Sequence, residues 1–141
     1  MIKFTLPVRP VTKKNNGRIV MRGNYPILLP SEQYLKFEKE SLPYFIHVKN
    51  IAGIINYPVN CKCIFYMDAR RRVDLANLLN AVDDAMVKSG LIIDDNRDII
   101  AGHDESRVLH DKSNPRIEIT ITELTDYVQW NDTKNVQQKL I

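Results

Sequence analysis

The stretch Arg70–Asp95, RRRVDLANLLNAVDDAMVKSGLIIDD, decides how this chain is read. Leu75, Leu78, Leu79, Val82 and Met86 recur in it at helical spacing, which predicts a helix over Asp74–Gly90 with one apolar stripe. Asp74 stands just before the stripe, where a carboxylate can cap orphan N–H groups. Gly90 suits the left-handed position that closes a helix. At about 100° per residue, Asp74, Asn77, Asp84 and Lys88 share a polar side, whereas Asp83 falls on another flank and reads as a solvated charge. Asp94-Asp95-Asn96 follows as an acidic, turn-rich segment.

Working outward, Val59, Cys61, Cys63, Phe65 and Met67 alternate on one face of a strand ahead of the helix. Behind it, Ile99–His110 reads as a strand interrupted near Gly102-His103, and Arg116–Thr122 as another. Toward the N-terminus, Ile2–Leu6 is a short strand stopped by Pro7 and Pro10. Arg18–Met21 and Tyr25–Leu29 form a hairpin about Gly23-Asn24. Ser31 caps a second helix bearing Leu35, Phe37, Leu42, Phe45 and Ile46, which Pro43 is expected to kink or split. The expected fold is α/β, of the α+β type: a small mixed sheet with two main helices. Residues 1–124 form one domain, and 125–141 a polar C-terminal tail that is helical, docks a partner or is partly disordered.

Composition narrows the function. The chain has 141 residues, 44% of them hydrophobic and 26% charged, which excludes disorder as its main state. No run of about 18 apolar residues exists, so no membrane span is expected. The N-terminus lacks a secretory h-region, so the expected location is the cytoplasm. Lys3, Arg9, Lys13, Lys14, Arg18 and Arg22 precede any acid, while Asp and Glu crowd residues 68–105. That segregation suggests a basic surface for a polyanion beside an acidic site. Cys61 and Cys63 read as small buried hydrophobes, since one C-x-C with scattered histidines does not supply a zinc site. His103, next to Asp104, could act as a base, but a surface histidine is the favoured reading.

The chemistry concentrates where Arg70, Arg71 and Arg72 meet Asp74. Guanidinium groups grip phosphates bidentately. Mg²⁺ keeps several waters and takes one or two carboxylates plus substrate phosphate, so Asp74 with Asp95 meets the minimum if the chain after the helix returns past its start. Asn77, one turn on, can order Asp74 by hydrogen bonding. Asp84 lies about 15 Å along the axis from Asp74 and cannot share its metal.

These residues resemble the RusA-type Holliday junction resolvases, small phage- and prophage-associated endonucleases. Arg70–Leu78, Ala81–Ala85, Ser89-Gly90-Leu91 and Asp94-Asp95 follow that family's arginine–aspartate helix and its later aspartate pair. Phe4–Pro7 with Lys13-Lys14-Asn15 is similar to its first strand and basic loop, and Arg116–Glu123 to its last strand. The resemblance covers about residues 2–123. It implies a homodimer that cuts four-way DNA junctions with Mg²⁺, Mn²⁺ substituting, and nicks two strands of like polarity. By position, Asp74 and Asp95 would hold the metal with Asp94 supporting; Lys13, Lys14, Asn15 and Arg70–Arg72 would contact DNA; Asn77 and Asn80 would support. Two departures stand out: a family carboxylate falls at Ala76, and a frequent family lysine at Asn80. They leave an alternative, a junction-binding protein with weak or no cleavage.

Overall fold

The computed structural model describes residues 1–13 and 17–125. In chain order these form β1 (Ile2–Leu6), β2 (Arg18–Arg22), β3 (Tyr25–Leu29), α1 (Glu32–Ala52), β4 (Val59–Met67), α2 (Leu75–Ser89), β5 (Ile100–Gly102), β6 (Arg107–His110) and β7 (Arg116–Glu123). The main sheet runs β1-β7-β4-β5, with β6 also on β4, and β2-β3 is a separate ribbon. β7 is antiparallel to β1 and β4, whereas β5 and β6 run parallel to β4. A parallel pair needs a crossover, and α2 supplies it. The expected mixed sheet with two helices is the observed architecture.

The core follows from strand alternation. Every second residue of β4 from Val59 to Met67 is buried, and the register sets Cys61, Cys63 and Phe65 beside Ile121, Ile119 and Ile117 of β7. Phe4 on β1 meets Phe45 on α1 edge to face, with ring centroids 6.1 Å apart. Such a pair adds about 0.5–1.5 kcal/mol beyond its burial. Ser31 Oγ accepts the Tyr34 N–H as the expected cap of α1. Asp74 caps α2, and Gly90 ends it at φ 78°.

Of the two outcomes expected at Pro43, the split does not occur: the helix runs unbroken from Glu32 to Ala52. Pro43 and Lys39, whose carbonyl loses its partner, both lie on the exposed side, where water can satisfy that oxygen. The buried face is also rotated from the expected one, to Tyr34, Phe37, Ser41, Phe45 and Val48, leaving Leu35, Leu42 and Ile46 exposed. The expected tail falls almost wholly outside the described residues. Among those described, no helix is long and apolar enough to cross a membrane.

Candidate nucleic-acid and metal site

The loop between β4 and α2 gathers the arginines. Arg70, Arg71 and Arg72 are exposed and make no ion pair among the described residues. Asp74 closes the loop, and its Oδ1 accepts the Ala76 N–H at 2.9 Å. Asp74 is therefore oriented by the helix end, and the expected Asn77 hydrogen bond is not formed. Arg71, Arg72 and Asp74 line a cleft of about 430 Å³ together with Arg9, Thr12 and Gln33. Arg9 is tied to Asp68, its Nε 3.1 Å from Oδ2. The α2 amino terminus opens into the same region, and its partial positive charge favours an anion there.

A second group lies further along α2. Lys13 pairs with Asp84 and stands 5.8 Å over the Tyr34 ring. Its charge is thus partly neutralised within the chain. Asn80 and Asp84 line a cleft with Lys13, Leu28 and Pro30. Lys14 and Asn15 lie outside the described residues.

Asp94 organises a turn. Its Oδ1 accepts the Asp95 N–H at 2.8 Å and its Oδ2 the Asn96 side-chain amide at 3.0 Å. The Asn96 amide, then the Asp95 N–H, hold its carboxyl below the usual range. This turn sits at the amino end of β4: Ile92 bridges Ile55, and Val59 pairs with Ile100. Asp74 follows the carboxyl end of β4. The length of α2, about 24 Å from Asp74 to Gly90 at the usual helical rise, separates the two ends. A parallel crossover brings the chain back to the amino end of β4, and it reaches the carboxyl end again only with β6, well after Asp95. Within one copy, Asp74 and Asp95 thus lie toward opposite ends of β4.

The structure also builds a cluster that sequence reasoning missed. Asp83 is only 8% exposed, so it is not a solvated charge. Its Oδ2 lies 2.8 Å from His103 Nε2, and His103 Nδ1 lies 2.7 Å from the Cys61 carbonyl oxygen. His103 is likewise not a surface histidine; its side chain is 23% exposed. A carbonyl only accepts, so Nδ1 carries a proton, and a second proton lies between Nε2 and Asp83. Desolvation works against the imidazolium, but the Asp83 carboxylate and the Cys61 contacts outweigh it and hold His103 up at about 10. Burial pushes the Asp83 carboxyl up, with His103 opposing. The signals in the sequence were Ala81, Ala85 and Ser89, small residues that widen the buried side of α2, and the polar break at Gly102-His103 in an apolar strand.

Unpaired guanidiniums beside a helix amino terminus and an oriented carboxylate are the features of a phosphate-engaging surface. The family profile for Endodeoxyribonuclease RusA matches residues 7–122, most of the chain. The protein belongs to the RusA family of endodeoxyribonucleases. No curated protein matches it closely enough to add to this.

Proposed function

We propose that this protein is a Mg²⁺-dependent, structure-specific endonuclease that resolves four-way DNA junctions as a homodimer. The observation that carries the reading is the exposed triplet Arg70–Arg72, without ion-pair partners among the described residues, of which Arg71 and Arg72 line a cleft together with Asp74. Phosphate contacts of this kind position DNA and do not read its sequence. Selectivity for a junction then comes from shape, a twofold protein matched to a roughly twofold substrate.

The donor chemistry fits Mg²⁺, since Asp74 and Asp95 offer hard oxygen ligands at exposed sites. Because α2 separates them within one copy, the pair that holds the ion is Asp74 of one copy and Asp95 of a second. Bound Mg²⁺ would lower the pKa of an attacking water and neutralise the scissile phosphate. Asp94 supports Asp95 by fixing its turn. Arg71 and Arg72 hold the phosphate beside Asp74.

Ala76 and Asn80 favour a second reading, junction binding with weak or no cleavage. Ala76 is exposed in the first turn of α2 and supplies no ligand atom, and Asn80 supplies no cation. Incubating a synthetic four-way junction with and without Mg²⁺ separates the two. Paired nicks that vanish with Asp95→Asn support the nuclease; binding with no nicks in wild type supports the alternative; no binding at modest salt contradicts both.

A further inference from the structure

We propose that Cys61, Asp83 and His103 form a buried binding site for zinc, separate from the Mg²⁺ site. One ligand atom from each of the three lies within 4.8 Å of the other two. They come from three elements: the amino-terminal part of β4, the middle of α2 and the loop after β5. A thiolate and an imidazole beside a carboxylate form a donor set that borderline-soft Zn²⁺ takes, whereas Mg²⁺ has use for the carboxylate alone.

Three further observations point to an ion. The Asp83 Oδ1 is buried without a hydrogen-bond partner, a donor left over beside the cluster. Chelation of the ion by both oxygens would complete its coordination. The Nδ1–H of His103 donates to the Cys61 carbonyl, the outer bond a metal-bound histidine usually makes, which leaves Nε2 to face the metal. The ion would take the place of the proton between Nε2 and Asp83 Oδ2. Finally, Cys63 Sγ lies 3.9 Å from Cys61 Sγ, so its S–H can donate to a Cys61 thiolate.

The loop carrying His103 is fixed before any ion arrives. The Asp104 N–H donates to Asn60 Oδ1 at 2.8 Å, and the Cys63 N–H to Ser106 Oγ at 2.9 Å. Gly102 permits this approach, since a Cβ there would meet Asn60 Oδ1 at 3.0 Å. His103 is partly open to solvent, which gives the ion a way in. The carboxylates of Asp95 and Asp84 add negative potential at Asp83.

Charge balances. Cys61 gives up its thiol proton and His103 one imidazolium proton, so Zn²⁺ enters and two protons leave. Zinc would thereby tie α2 to β4 and to the chain beyond Asp95.

The test is metal analysis of the purified full chain, with Co²⁺ as a spectroscopic substitute. One equivalent of zinc per chain is expected. Co²⁺ should give tetrahedral d–d bands and a sulfur-to-cobalt charge-transfer band that excess Mg²⁺ does not remove. Cys61→Ser should abolish the charge-transfer band. Cys63→Ala should weaken affinity only by the roughly 10–100-fold that loss of an outer partner costs. A wild-type protein with neither zinc nor a cobalt band overturns the proposal, as does a band that survives in Cys61→Ser. None of these readouts involves DNA cleavage, so the nuclease reading stands or falls separately.

Discussion

Replacing His103 by alanine in metal-free protein should be among the most destabilising single changes outside the apolar core. The variant leaves the Asp83 carboxylate buried, with its Oδ1 already unpartnered and its Oδ2 newly so. Breaking one side of a buried ion pair costs about 3–5 kcal/mol. The His103 side chain is 23% exposed, so water can enter the space it vacates and solvate the carboxylate. That relief is partly offset by losing the Nδ1 bond to Cys61, worth about 1 kcal/mol. A loss of about 2–3 kcal/mol at neutral pH is the balance. Urea unfolding with chelator present measures it; at a slope of about 2 kcal/mol/M the midpoint falls by roughly 1–1.5 M. The loss should shrink as pH falls, because burial raises the stranded carboxyl and lets it take a proton. A change under about 0.5 kcal/mol, or one indifferent to pH, would show that Asp83 and His103 do not depend on each other.

Three other outcomes follow from the same geometry. The folded state raises His103 to about 10 from an unfolded value near 6.5, so this contribution is complete below about 6.5 and is lost as pH climbs through 10. Asp83, raised by burial, acts in the same sense. The midpoint of metal-free wild type should therefore fall across that alkaline window, and a flat profile there would contradict the shared-proton pair. Asp74→Asn should abolish cleavage while junction binding stays near normal or tightens, because a repelling charge goes and asparagine caps a helix as well as aspartate; wild-type nicking in this variant would refute the metal role. Arg71→Ala should weaken binding across all sequences and reduce the slope of log affinity against log salt by about 1. A base-specific change in preference, read on a panel of junction sequences, would contradict the phosphate-grip assignment.

The fold was legible wherever local signals agreed. On α2 the apolar period, the Asp74 cap and the Gly90 stop all pointed the same way, and β4 and β7 showed clean alternation. The α1 face was less legible because its buried side includes Tyr34 and Ser41, which hydrophobicity alone does not select. Nor can local pattern tell that Pro43 points to water, since that depends on where the sheet lies. At the candidate site, the arginine triplet and Asp74 form a continuous segment, so their proximity was readable. The separation of Asp74 from Asp95 was not, because it depends on α2 crossing back along β4. Asp83 escaped for a related reason: a charged residue on a helix flank reads as solvated until a histidine from another element is known to face it.

Subunit mixing of Asp74→Asn with Asp95→Asn, assayed by nicking of a four-way junction with Mg²⁺, tests the shared metal site most directly. Each variant alone should be inactive. After full exchange about half the dimers are mixed, and each has one intact site, so nicking should return to about a quarter of wild type. If both variants are inactive alone and the exchanged mixture is too, Asp74 and Asp95 do not complete one site across two copies.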